Sequence, residues 1–189
     1  MHKDDLQKIT RQLGREPRDV VGVAKRCTAG HPQVITTYPI RWVGGAPQVF
    51  PTLYWLTCPA LWHHVSELEA KGWVSKLQDL MATDDSIADA WNRSHHIYAT
   101  ERVGLVPARE LALLRDKYPR QAAVLEESGV GGARGPGIKC LHTNLAHYLI
   151  DGANPIGHEV ARLLIAQGVD LEFCHCDELE AVCQGEGES

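Results

Sequence analysis

The sequence predicts an α+β protein with a small, mainly antiparallel three-stranded sheet followed by a layer of five to seven helices. Runs rich in β-branched and aromatic residues lie before Pro59, and glycine and proline separate them. From Pro59 onward the apolar residues recur at helical spacing instead. Strands followed by helices are typical of a fold in which helices pack over one sheet.

The segment before Pro59 is expected to supply all three strands. A short helix over 3–13 comes first, because its apolar residues share one side and Gly14 provides a stop. The short turn between the first two strands indicates an antiparallel hairpin. If the third strand pairs with the second in the same way, the first and third strands point in the same direction. The strands are predicted at 20–24, 33–38 and 52–57, with a turn at 28–32 and a loop at 39–51.

The rest of the chain is predicted to form helices separated by glycine and proline. Pro59 suits the first turn of a helix that stops before Gly72, and capping oxygens at 84–86 begin another helix. A glycine-rich stretch at 129–137 precedes a helix from Cys140 to Asp151. Further helices are predicted at 74–81, 107–118, 119–128 and from Pro155 to Gly168.

Length, composition and charge exclude several classes of protein. The 189 residues suffice for one α+β domain, predicted at 1–171, with an acidic and flexible tail at 172–189. A net charge of −5 and the lack of a basic tract disfavour nucleic-acid binding. No apolar run is long enough to cross a bilayer, and the N-terminus lacks the apolar stretch of a signal peptide. The expected location is therefore the cytoplasm, without membrane association.

Cysteines and histidines make a metal site the leading functional hypothesis. Cys27 and Cys58 each follow a predicted strand, and if these strands point the same way, both thiols emerge at one edge of the sheet. Cys140 begins the helix after the glycine-rich stretch. His147 can join it if the helix includes Cys140, whereas His142 can join it if the chain is still extended there. Three thiolates and one imidazole are a zinc ligand set, so Zn²⁺ is the expected cofactor.

Two other features suggest chemistry of a different kind. Cys58 precedes Pro59 at a predicted helix N-terminus, where free amides favour a thiolate and hence a nucleophile. The glycine-rich stretch, with Arg134 and Lys139, has the character of an anion-binding loop, but it matches no phosphate-binding motif. Glycine-rich segments more often serve as a flexible linker or lid, so that interpretation is favoured over an anion-binding loop. The tail adds the soft-ligand cluster 174–176, whose spacing is awkward for one tetrahedral ion.

Four separate parts of the chain together resemble a known family. They are Arg26-Cys27 with Gly30-His31-Pro32-Gln33-Val34-Ile35, then Phe50-Pro51-Thr52-Leu53-Tyr54-Trp55-Leu56-Thr57-Cys58-Pro59, then Ile138-Lys139-Cys140-Leu141-His142, and Asn154-Pro155-Ile156-Gly157. In this combination they resemble the bacterial family catalogued as "domain of unknown function 501", from about Leu13 to about Leu164. The resemblance implies a bacterial cytosolic protein and transfers no catalytic residues. Family members are often encoded near a septum-formation protein and an exopolyphosphatase-type enzyme, which implies a division or phosphate-metabolism protein as partner.

Three functional hypotheses follow, and they leave open whether the protein is an enzyme. The first is a zinc protein, structural with four protein ligands or able to activate water with three. The second is a non-enzymatic interaction module, in which exposed tryptophans of the helical layer bind a division or phosphate-metabolism protein. The third is a thiol-dependent enzyme with Cys58 as nucleophile and His142 or His147 as base.

Overall fold

The computed structural model describes residues 1–172, so the predicted tail lies outside the described residues apart from Glu172. The predicted α+β fold is confirmed, because three strands form an antiparallel sheet and seven α-helices follow its last strand. Within these residues, no helix combines the length and the apolar composition that crossing a membrane requires.

The elements in chain order are α1 (Asp5–Leu13), β1 (Val20–Arg26), β2 (Pro32–Thr37), β3 (Ile40–Val43), β4 (Ala46–Val49), β5 (Tyr54–Leu56), α2 (Pro59–Ala70), α3 (Trp73–Thr83), α4 (Asp85–Gly104), α5 (Ala108–Lys117), α6 (Pro119–Glu127), a 3₁₀ turn (Val130–Gly132), α7 (Leu141–Asp151) and α8 (Pro155–Ala166).

The three-stranded sheet has β2 at its centre, antiparallel to both β1 and β5. The strands β1 and β5 therefore point in the same direction, as the short first turn predicted. Neighbouring residues of a strand face opposite sides of the sheet. Val34 and its partner Leu56 belong to the main core under the helices, whereas Ile35 and its partner Trp55 lie on the other face.

The prediction of a loop at 39–51 is wrong, because β3 and β4 lie within it and pair as a second, two-stranded sheet. Gly44 and Gly45 form its tip with φ of 56° and 81°, a conformation that glycine adopts without strain. The strands have only four residues each, and Pro47 in β4 lacks an amide hydrogen, so the segment has the sequence character of a loop. Ile40 packs against Leu114 in a small second core beside α5 and α6.

The helices α7 and α8 pack closely in the main core. The side chain of Asn154 caps α8 by accepting a hydrogen bond of 2.8 Å from the Gly157 amide. The same fully buried side chain donates to Asn144 Oδ1 at 3.0 Å, which links the start of α8 to α7. A β-carbon on Gly157 would lie 2.2 Å from the Asn144 carbonyl oxygen, so glycine is required for this approach. The first turns of α7 are thus held against α8.

Candidate metal centre

The beginning of α7 places Cys140 and His142 side by side. Cys140 is the residue before the helix, and its backbone is extended, with φ −147° and ψ 121°. His142 lies in the first helical turn, and its Nδ1 is 3.7 Å from the Cys140 sulfur. An extended backbone at Cys140 is the condition under which the sequence predicts that His142, and not His147, faces the thiol.

Glu69 from α2 completes a group of three metal-binding side chains. Its Oε1 lies 3.4 Å from His142 Nδ1 and accepts a hydrogen bond of 2.7 Å from the Leu141 amide. The ligand atoms of Glu69, Cys140 and His142 all lie within 4.8 Å of one another, and this is the only such group found within residues 1–172. Local sequence reasoning does not single out Glu69, because its contact with the Leu141 amide is made across 72 residues.

The ring of His142 is oriented by its other nitrogen. Nε2 lies 3.1 Å from the Trp62 carbonyl oxygen and 3.1 Å from Ser66 Oγ. A carbonyl oxygen only accepts hydrogen bonds, so Nε2 carries a hydrogen and Nδ1 is the nitrogen available to Cys140 and Glu69. Trp62 also covers the ring, with the two ring centres 5.2 Å apart. This arrangement is the usual one for a histidine that binds a metal through one nitrogen.

The Cys140 thiol and the His142 imidazole favour each other's charged forms. Burial raises the pKa of Cys140, but the hydrogen bond with His142 and the Thr143 amide outweigh it, so the net pKa is below the ordinary value. Burial lowers the pKa of His142, yet the hydrogen bond with Cys140 and the charges of Cys140 and Glu69 raise it, and the net pKa is above the ordinary value. The pair is thereby shifted toward thiolate and imidazolium.

The group is accessible from solvent. The side chain of Glu69 is 30% exposed, that of His142 is 14% exposed, and Cys140 is half-buried. The three residues therefore lie at the border of the core and not within it.

The other predicted ligands lie elsewhere. Cys27 and Cys58 follow β1 and β5 at one edge of the sheet, as predicted, but both are buried in the main core and neither belongs to the group with Cys140. His147 is fully buried between the rings of Tyr54 and Tyr98. Because Cys140 is extended and precedes α7, it does not share a helix face with His147. Of the five predicted ligands, Cys140 and His142 are the two that lie together in the group found within residues 1–172.

His147 belongs to a buried polar network behind the metal group. The side-chain amide of Asn144 donates to the Cys140 carbonyl oxygen at 2.7 Å. The side-chain nitrogen of Asn154 contacts both Asn144 Oδ1 and, at 3.3 Å, His147 Nδ1. His147 Nε2 lies 3.3 Å from a carboxylate oxygen of Asp151. The hydrogen bonds of Asn144 and Asn154 thus link Cys140, which precedes α7, to His147 in the second turn of the helix.

The glycine-rich stretch enters the core with its first half. Three residues of that half are buried, namely Gly129, Val130 and Gly132, and the Val130 amide donates a hydrogen bond of 2.8 Å to His95 Nδ1. Only the second half of the glycine-rich stretch therefore has the exposure of a surface loop. Arg134 is exposed, and Lys139 donates to the Gly132 carbonyl oxygen at 2.9 Å. The ammonium group of Lys139 therefore binds the backbone of the glycine-rich stretch itself. The anion-binding role predicted for Arg134 and Lys139 stays a prediction.

Cys140 is expected to be the fastest-alkylating cysteine within residues 1–172 of the metal-free protein. Its lowered pKa increases the thiolate fraction near neutral pH, so the rate rises with pH and reaches its plateau earlier than for an ordinary thiol. Cys58, the nucleophile suggested by the sequence, is fully buried and should react slowly. A pulse of iodoacetamide at several pH values, followed by peptide mass spectrometry, measures each rate.

Substitution His142→Gln should move the midpoint of this pH profile upward, because the hydrogen bond and the positive charge that favour the thiolate are lost. The matched control is His63→Gln, which removes an exposed histidine of α2. Faster modification of Cys58 than of Cys140 would contradict the assignment of Cys140 as the reactive thiol.

Fold and site together define an α+β protein with a solvent-accessible Glu–Cys–His group at the start of a core helix. The family model described as "Protein of unknown function (DUF501)" matches residues 23–162, well over half of the chain, so the chain belongs to that family. The matched region contains Glu69, Cys140 and His142. Neither the curated proteins nor the solved structures include a match to this chain.

Proposed function

We propose that the protein binds a zinc ion through Glu69 Oε1, Cys140 Sγ and His142 Nδ1. The observation that carries this proposal is the spacing of the three ligand atoms. Tetrahedral zinc, with bonds of about 2.3 Å to sulfur and about 2.0 Å to nitrogen or oxygen, separates sulfur from nitrogen by about 3.6 Å and nitrogen from oxygen by about 3.3 Å. The corresponding distances in the protein are 3.7 Å and 3.4 Å.

The chemistry of the three groups also favours zinc. A thiolate, an imidazole nitrogen and a carboxylate oxygen suit an ion of intermediate softness such as Zn²⁺ better than Mg²⁺ or Ca²⁺, which prefer oxygen. The lowered pKa of Cys140 supplies the thiolate that a metal needs. The hydrogen bond from His142 Nε2 to the Trp62 carbonyl oxygen raises the ligand strength of Nδ1 and fixes its direction.

Three protein ligands leave a fourth position for water or a substrate atom. Zinc sites closed by four protein ligands are structural, whereas sites with three ligands lower the pKa of a bound water to about 7. Because the group is accessible to solvent, the proposed ion has its open position toward the exterior. This favours a zinc-dependent hydrolytic or lyase reaction over a purely structural role.

Elemental analysis of protein purified anaerobically, before and after chelation, tests the proposal. We expect about one zinc per chain, restored after chelation by added Zn²⁺. Cys140→Ser, His142→Gln and Glu69→Gln should each weaken zinc binding by about a hundred-fold or more, since even outer-shell partners contribute about ten- to a hundred-fold. His63→Gln, on the same helix as Glu69 and outside the group, should bind zinc like the unmodified protein.

Absence of zinc from anaerobically purified protein, together with no uptake of added Zn²⁺, would contradict the metal proposal. Zinc binding that survives both Cys140→Ser and His142→Gln would place the ion elsewhere, for example in the tail.

The lowered pKa of Cys140 favours a second candidate, a thiol-dependent reaction with Cys140 as nucleophile and His142 as its base. Here the nucleophile is Cys140 and not Cys58, because Cys58 is fully buried. The two candidates differ in their response to chelation. Chelation should abolish a zinc-dependent activity and should accelerate alkylation of Cys140, whereas a thiol enzyme would keep its activity without metal.

A further inference from the structure

A cavity lies on the face of the three-stranded sheet that the main core does not cover. Its floor is formed by Ile35 and Thr37 of β2 and by Trp55 of β5. One wall is the segment between α1 and β1, and another is the start of β3 with Phe50. None of its lining residues belongs to the Glu69–Cys140–His142 group, so the cavity is a separate site.

The lining of the cavity is positively charged although the chain as a whole carries a net charge of −5. Arg15, Arg18 and Arg41 line it, and Asp19 is the only acidic residue among the described residues that line it. Asp19 is neutralised by Arg41, with a carboxylate oxygen 2.6 Å from the guanidinium. Within residues 1–172, no ion pair engages Arg15 or Arg18, so two guanidinium groups remain for an anion.

An aromatic side chain of the floor lies beneath one of these charges. The Arg15 guanidinium carbon lies 5.4 Å from the centre of the Trp55 ring, within cation–π distance. Phe50 is 45% exposed and borders the same space. An apolar floor with positive charge above it suits a ligand that has a flat apolar part and one anionic group.

Asp19 stores backbone strain at the wall of the cavity. Its φ of 56° is the only positive value at a non-glycine residue of the described chain. This conformation costs about 1 kcal/mol or more and persists where the surroundings enforce it, which is common at binding sites. Here it allows the Asp19 carbonyl oxygen to accept a hydrogen bond of 2.7 Å from the Tyr38 amide, while the carboxylate holds Arg41.

The size of the cavity suits a ligand of one ring. Its volume is about 160 Å³. A cavity of about 150 Å³ holds one benzene molecule, whereas sites for drug-sized ligands have about 300 Å³ or more. We propose that this cavity binds a small anion built on a single flat ring, with the ring against the floor of Ile35 and Trp55 and the carboxylate or phosphate on Arg15 and Arg18.

Calorimetric titration of the chelator-treated full chain tests the proposal independently of zinc. Benzoate and phenyl phosphate serve as probes, benzamide is the neutral analogue, and inorganic phosphate is the anion without a ring. We expect a Kd below about 1 mM for at least one ring anion, as a ligand of about ten heavy atoms allows, and at least ten-fold weaker binding of benzamide and inorganic phosphate. Comparing the two ring anions distinguishes a carboxylate from a phosphate as the natural anionic group.

Matched arginine substitutions locate the binding. Arg15→Gln and Arg18→Gln should each weaken the ring anion by about ten-fold, the loss expected for one charge-assisted hydrogen bond. Arg93→Gln removes an exposed arginine of α4 outside the cavity and should leave the affinity unchanged. No heat of binding for either ring anion, equal affinity for inorganic phosphate, or affinity that survives both Arg15→Gln and Arg18→Gln would overturn the proposal.

Discussion

Replacing Arg102 by leucine is expected to destabilise the protein by about 3–5 kcal/mol, because three backbone carbonyls lose their hydrogen-bond donor inside the core. Arg102 is fully buried in α4. Its guanidinium donates to the Leu125 carbonyl oxygen at 2.8 Å and 2.6 Å, to that of Pro51 at 2.9 Å, and to that of Ser128. Burial lowers the pKa of Arg102 to about 10, so the side chain stays charged at neutral pH.

The positions of these carbonyls explain why the loss is large. Leu125 lies in the last turn of α6, where carbonyl oxygens have no amide partner within the helix. A positive charge at a helix C-terminus is also favourable for the helix dipole. Arg102 thus caps α6 and joins it to the segment before β5, and leucine supplies neither hydrogen bonds nor charge.

Urea denaturation at neutral pH measures the effect as a fall in the transition midpoint at an unchanged slope. Arg93→Leu, at an exposed position of the same helix, is the matched control and should change the free energy of unfolding by less than about 0.5 kcal/mol. A loss below about 1 kcal/mol for Arg102→Leu would show that water or another donor satisfies these carbonyls.

Substitution Gly157→Ala is expected to cost about 3 kcal/mol, the upper part of the usual range for overpacking. The added β-carbon would lie 2.2 Å from the Asn144 carbonyl oxygen and 2.5 Å from the Tyr148 β-carbon. One of these contacts is with backbone, so α7 and α8 must separate to relieve it. The separation also strains the hydrogen bonds of Asn154, which caps α8 and contacts Asn144.

The matched control is Gly104→Ala at the end of α4, where a β-carbon meets nothing within 4 Å. It should be neutral or stabilising by up to about 1 kcal/mol, because alanine restricts the unfolded chain and suits a helix. Thermal unfolding of both variants gives the comparison. Equal stability of the two variants would mean that the helices relax at no cost.

Gly157→Ala also connects the core to the proposed zinc site. Asn144 lies one turn after Cys140, and its side chain donates to the Cys140 carbonyl oxygen at 2.7 Å. A shift of α7 therefore moves Cys140 and His142 relative to Glu69 on α2. We expect the folded fraction of Gly157→Ala to bind zinc more weakly than the unmodified protein, which a competition titration with a chelating indicator measures.

Local sequence signals predicted most of the fold. Prolines at helix starts, a capping aspartate before α4 and glycines after α1 and α7 act through contacts within a few residues. The short first turn predicted the antiparallel pairing of β1 with β2, and the common direction of β1 and β5 followed on the assumption that the third strand pairs with the second. The hairpin of β3 and β4 escaped prediction because Pro47 interrupts the strand pattern and because its stability comes from packing on α5 and α6.

The sequence by itself determined the α+β class, the family resemblance, and the cysteine and histidine that lie together at the start of α7. It also showed that the start of that helix decides whether His142 or His147 lies beside Cys140. Tertiary structure alone decided that the helix begins after Cys140, that Glu69 joins the two residues, and that Cys27 and Cys58 are core thiols. Spacing along a helix or strand fixes which side chains share a face. Whether that face meets a carboxylate, an arginine cluster or the core depends on contacts between segments far apart in sequence, and these follow from the packing of the whole chain.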